Sequence, residues 1–105
     1  MVELKDALLY LGYDEADVDD AVLTSTVTRQ LKTARQMLLG AVGEDVETYL
    51  PDDPRAEELL LIYLDDLHTN RGRSAKEANA LRRSVHDMEQ QLRVELARKR
   101  EEVGA

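Results

Sequence analysis

Two histidines and a cluster of carboxylates are the residues of this chain whose types and spacing are suited to chemistry. Asp65 precedes His68 by three residues, so on a helix a carboxylate and an imidazole share one face. Such a pair could relay a proton or supply half of a metal site. A zinc centre needs three or four converging ligands. His86 falls on a different helix, and the chain has no cysteine. Both histidines therefore read as ordinary surface or interface side chains. The acidic run Asp14, Glu15, Asp17, Asp19 and Asp20 offers oxygen ligands of the calcium type. A helix–loop–helix calcium loop needs ligands at positions 1, 3, 5 and 12 around a central glycine. The spacing here differs and the glycine is missing, so the run reads as a solvated helix start that suits the positive end of the dipole. Gly12, Gly40, Gly43, Gly72 and Gly104 stand apart from one another, which leaves no phosphate-cradling loop. A Gly-x-Ser-x-Gly elbow is absent as well. No catalytic residue, metal site or cofactor is expected, and the chemistry to look for is binding.

The elements that would position any site are helical. The chain has no tryptophan or phenylalanine and four tyrosines, so its core must come from Leu, Val and Ala, which suits helix-on-helix packing. A first helix is predicted over residues 2–11, with Leu4, Ala7, Leu8 and Leu11 on one stripe and Gly12 as its left-handed terminator. Asp14 is the expected cap of a second helix over 15–42. Its stripe Leu23, Val27, Leu31, Ala34, Leu38 and Ala41 is spaced 4-4-3-4-3. The β-branched stretch from Thr24 to Thr28 is its weak point. Gly40 and Gly43 mark its end.

A connector over 44–52 carries Val46, Tyr49 and Leu50, with room for one helical turn before Pro51. Asp53 then caps a third helix that has Pro54 at its first position. Leu59, Leu60, Leu61, Ile62, Tyr63, Leu64 and Leu67 place apolar side chains all the way round that helix. A helix without a solvent face must be covered, and in a chain of 105 residues part of that cover is expected from other copies. Ser74 and Glu77 form a capping box for a fourth helix that runs to about residue 102. Ala78, Leu81, Val85, Met88, Leu92 and Leu96 make its stripe.

Charge divides the chain. The formal net charge is −8. Residues 1–66 carry net −11 and residues 67–105 carry net +3. The acidic part argues against general nucleic-acid binding, which needs phosphate-neutralising Lys and Arg. No run of about 18 apolar residues is present to span a membrane, and the N-terminus lacks the basic and apolar regions of a signal peptide. Beyond Leu92 little is left to bury. The expected division is a helical domain over 1–92 and a projecting, basic helix end over 93–105. Arg82 and Arg83, together with Arg93, Leu96, Arg98, Lys99 and Arg100 of that end, are the candidate partner-binding residues. Truncation after Leu92 is expected to spare the fold and abolish assembly.

Three stretches resemble the small helical head–tail connector proteins of tailed bacteriophages, also called adaptor or head-completion proteins. The first runs from Leu8-Leu9-Tyr10-Leu11-Gly12-Tyr13-Asp14 into Asp17-Val18-Asp19-Asp20-Ala21-Val22-Leu23. The second runs from Ala34-Arg35 to Val42-Gly43. The third runs from Asp53-Pro54-Arg55 to His68-Thr69-Asn70-Arg71. Asp19, Asp20, Arg55, Asn70 and Arg71 hold the motif positions. The third helix departs from the family pattern in carrying Asp65-Asp66-Leu67 in place of aromatics, and the last helix is longer and more charged.

The resemblance implies a ring of identical subunits beneath the portal protein, at the head–tail interface of the virion, assembled in the host cytoplasm. Such a ring extends the DNA channel, lets DNA pass without specific binding and docks the next neck or tail protein. The expectation is thus an all-α, four-helix domain with a long C-terminal helix, self-assembling into a ring, without catalysis. The alternative is a small acidic helical regulator that binds a single protein partner as a monomer or dimer.

Overall fold

The computed structural model describes residues 2–69 and 75–104, with the side chains of all of these except Glu15, Thr69 and residues 75–82. The protein is all-α. In order come α1 (Leu4–Tyr10), a 3-10 turn (Glu15–Asp19), α2 (Ala21–Val42), the single-turn α3 (Val46–Tyr49), α4 (Pro54–Thr69) and α5 (Ala75–Gly104). The connector thus contributes a fifth helix to the expected four. Asn70, Arg71 and the Ser74 cap lie outside the described residues.

Local chemistry accounts for the ends of α1 and α2 and for the starts of α2 and α4. Helix α1 ends in a Schellman turn. Gly12 adopts a φ of 94°, its amide donates to the Leu9 carbonyl, and the Tyr13 amide donates to the Leu8 carbonyl. The second helix starts at Ala21 and not at Glu15, because Asp20 is an extended N-cap. Its Oδ1 accepts the amides of Val22 and Leu23, each at 3.1 Å. An extended residue cannot lie inside a helix, so Glu15–Asp19 tightens into the 3-10 turn, held by the Asp14 amide on Asp17 Oδ2 at 2.8 Å. The β-branched stretch stays helical. The Thr24 and Thr26 hydroxyls donate back to the carbonyls of Asp20 and Val22, both at 2.9 Å. Gly40 sits inside α2, and Gly43 terminates it with a φ of 151°. At α4 the Asp53 carboxylate accepts the Arg55 amide at 2.9 Å, the cap the sequence predicts.

Helix α4 lies along α2, α1 packs across both, and α5 closes over α2, α3 and α4. Ala56, Leu59, Leu60, Tyr63 and Leu64 of α4 are buried against Val27, Ala34, Leu38 and Val42 of α2, and Ala7 and Leu8 of α1 join them. The one-turn α3 is anchored by Val46, with Leu50 buried just after it. Each fully buried leucine contributes about 1.5–3 kcal/mol relative to exposure. No polar or charged residue is buried among the described residues. The chain itself therefore covers most of α4, and Leu67 is the apolar residue of that helix left exposed.

The helix end predicted to project from residue 93 is docked instead. Leu92 and Leu96 of α5 are both fully buried, with Val85 and Met88 packed partly against the same core. The stripe continues one turn farther than the composition of the last residues suggests, so Leu96 belongs to the core. The result is an elongated slab of 49 × 33 × 17 Å with a radius of gyration of 15.1 Å. A compact domain of this length would have about 13 Å.

Candidate functional site

The residues singled out in the sequence fall into three settings. Arg93, Arg98, Lys99 and Arg100 all lie on α5, and all are engaged within the chain. Arg93 Nε donates to the Ala41 carbonyl at 2.6 Å, and its guanidinium lies 3.7 Å from Glu89. Arg98 pairs with Glu95 at 2.7 Å, and Lys99 lies 3.6 Å from Glu102. Arg100 forks onto Asp45, with Nε 2.7 Å from Oδ2 and Nη2 on Oδ1. That bidentate pair closes α5 over the loop after α2 and holds the Asp45 carboxyl below the usual carboxylate range. Arg83 is exposed, and the Arg82 side chain lies outside the described residues. The basic end thus presents ion pairs on its surface more than free cations.

The motif positions serve local structure. Asp20 caps α2, and Asp19 is exposed beside it. Arg55 folds back on Asp53 through Nε to Oδ1 at 3.1 Å and Nη2 to Oδ2 at 2.9 Å. The guanidinium lowers the Asp53 pKa, and the ionised carboxylate suits the positive end of α4. Arg35 of α2 grips Glu47 of α3 through two bonds of 2.6 Å, which lowers the Glu47 pKa by the same mechanism. Tyr63 donates to Glu89 Oε1 at 2.6 Å. Burial first, and then that charged acceptor, push its phenol well above the usual value.

His68 has polar partners that its spacing from Asp65 does not foretell. Its Nδ1 lies 2.8 Å from Gln30 Oε1, and its Nε2 lies 2.9 Å from the Tyr13 hydroxyl. The Gln30 amide nitrogen faces the Leu67 carbonyl at 3.4 Å, so its oxygen is the atom turned to the ring. An amide oxygen only accepts, so Nδ1 carries a proton and in the neutral ring Nε2 accepts from Tyr13. Tyr13 also meets the imidazole edge-on, with centroids 5.7 Å apart. With both nitrogens occupied, the ring offers nothing to a metal. It clasps the α1–α2 connection, α2 and the end of α4 together. His86 is exposed on α5.

Among the described residues no group of three or more His, Cys, Asp or Glu side chains converges as a metal site would require, and no helix is long and apolar enough to cross a membrane. Among the depressions lined by described residues, two open ones bear on function. A polar notch is lined by Glu44 and Thr48 together with the Asp45–Arg100 ion pair already described. The other is a mainly apolar groove between the start of α1 and the first half of α2. The chain matches no model of a known protein family, no curated protein and no solved structure. Function must therefore be argued from these surfaces.

Proposed function

We propose that this chain is a structural connector of a tailed phage. Identical copies form a ring under the portal, extend the DNA channel and dock the next neck or tail protein. The observation that carries the reading is the order of its motifs within one packed unit. A glycine-closed short helix, an acid-rich turn, a long helix and an Asp-Pro-Arg-capped apolar helix follow one another, each in contact with α2. The distribution of charge supports it. Among the described residues no charged side chain is buried, and an acidic wall repels DNA so that it slides without sticking. Work of this kind is done by surfaces at the head–tail interface and needs neither cofactor nor catalysis.

One observation favours the small acidic regulator as a second reading. The core closes within a single chain, and Leu96, Arg93 and Arg100 are engaged on the chain's own body. Absolute mass across a concentration series, by native mass spectrometry or light scattering at low and moderate salt, separates the two. The connector is expected to give a closed ring of many subunits, alone or once a portal protein is added. A dimer at every concentration, or a monomer that ignores the portal, would replace it with the regulator.

A further inference from the structure

The charges of α2 run against those of the chain. Ala21–Val42 contains no aspartate or glutamate, although the protein holds 22 of them, and it contains Arg29, Lys32 and Arg35. Arg35 is matched by Glu47. Arg55, Arg93, Arg98, Lys99 and Arg100 each find a carboxylate as well. Arg29 and Lys32 make no ion pair among the described residues. Both line the groove between α1 and α2, together with Leu4, Ala21, Thr24 and Thr28. The groove therefore combines an apolar floor with two uncompensated cations, in a chain that is otherwise rich in acid.

The complementary surface is at the far end of α5. The buried stripe of that helix continues past Leu96 at a seven-residue spacing to Val103, which is 65% exposed. Past the Arg100–Asp45 pair, Glu101, Glu102 and Val103 are all exposed. This last turn presents one apolar side chain with Glu102 beside it and Glu101 on the opposite face of the helix, and Glu102 also lies 3.6 Å from Lys99. It cannot reach the groove of its own chain. Arg100 is tied beside Asp45, beyond the C-terminal end of α2, whereas the groove ends at Lys32, about 15 Å back along that helix.

We propose that the last turn of α5 from one copy seats in the α1–α2 groove of the next. Val103 meets the apolar floor, and Glu102 beside it exchanges Lys99 for Arg29 and Lys32. The inference rests on the connector reading and names its subunit contact. The contact is heterologous, so it propagates around a ring when the rotation closes. Nucleic acid is the poorer occupant, because two cations neutralise too few phosphates to hold a polyanion on a chain of net −8.

The test uses the full chain and two charge-reversed variants, Arg29→Glu/Lys32→Glu and Glu102→Lys, followed by sedimentation velocity and native mass spectrometry. All three positions are exposed, and matching circular dichroism melts would confirm that both variants fold. Each variant alone is expected to self-associate at least tenfold more weakly than the parent. An equimolar mixture is expected to regain the parent's affinity, because each variant supplies the tail that the other's groove now accepts. Variants that assemble like the parent would overturn the contact while leaving a ring, and with it the connector reading, in place. A parent chain that does not self-associate, or a mixture no stronger than its components, would also overturn it. Association that obeys the charge pairing but stops at a reciprocal dimer would keep the contact and remove the ring.

Discussion

Single residues decide where α5 can sit. Gly43 combines a φ of 151° with a ψ of 144°, a region open essentially to glycine. A Cβ there would stand 2.7 Å from Leu96 Cδ2 and 2.8 Å from Arg100 Nη2. We expect Gly43→Ala to cost about 1–3 kcal/mol in urea denaturation, from backbone strain and from loosened α5 packing. Tyr63 offers a test at alkaline pH. Its folded pKa is raised, so it contributes stability below the unfolded value of about 10, and that contribution is lost as pH rises further. Tyrosinate absorbance of Tyr63 should therefore develop only as the protein unfolds. Tyr63→Phe should cost about 1 kcal/mol at neutral pH and flatten the alkaline limb of the stability profile. Neither the approach of α5 to Gly43 nor the Tyr63–Glu89 bond could be read from spacing. The partners lie 53 and 26 residues away, and nothing local in the sequence names them.

At the level of elements the apolar periodicities were the informative part of the sequence. Val27, Ala34 and Leu38 of the α2 stripe are buried, and Leu23, Leu31 and Ala41 pack partly against the core. The Gly12 terminator and the Asp53–Pro54 start also stand where turn chemistry places them. What periodicity missed is the break at Asp20, because an aspartate inside an acidic run does not announce which of several carboxylates will cap. The docked end of α5 reads as projecting in the sequence although Leu96 stands on the stripe, because the residues from Arg98 to Glu102 are all charged. Truncation after Leu92 should accordingly destabilise the fold, contrary to the expectation from composition. Leu96→Ala should cost about 2–5 kcal/mol by thermal denaturation. Deleting residues 101–105 should leave the melting temperature unchanged. A deletion after Leu92 that melts like the parent would show that Leu96 contributes nothing to the core.

For the whole molecule, acidic charge and three arginine–carboxylate clasps set the response to pH. Asp45, Glu47 and Asp53 have folded pKa values depressed by Arg100, Arg35 and Arg55. Their contributions are present above the unfolded value of about 4 and are lost as pH falls through the lower folded values. Arg55→Gln should therefore lower stability by up to about 1 kcal/mol at pH 7. The gap between parent and variant, read from urea midpoints, should close below about pH 4. A gap that persists in acid would assign the effect to packing of the arginine stem. The unequal anchoring of the helices has one more consequence, for the order in which the chain opens. Helices α2 and α4 share nine buried residues, whereas among the described side chains of α5 Leu92 and Leu96 are buried and Val85 and Met88 pack partly, beside a few surface clasps. The α5 amides should accordingly exchange with solvent hydrogen through a partial opening that leaves the α2–α4 pair protected. The chain would then release and re-seat its longest helix while the α2–α4 pair stays folded.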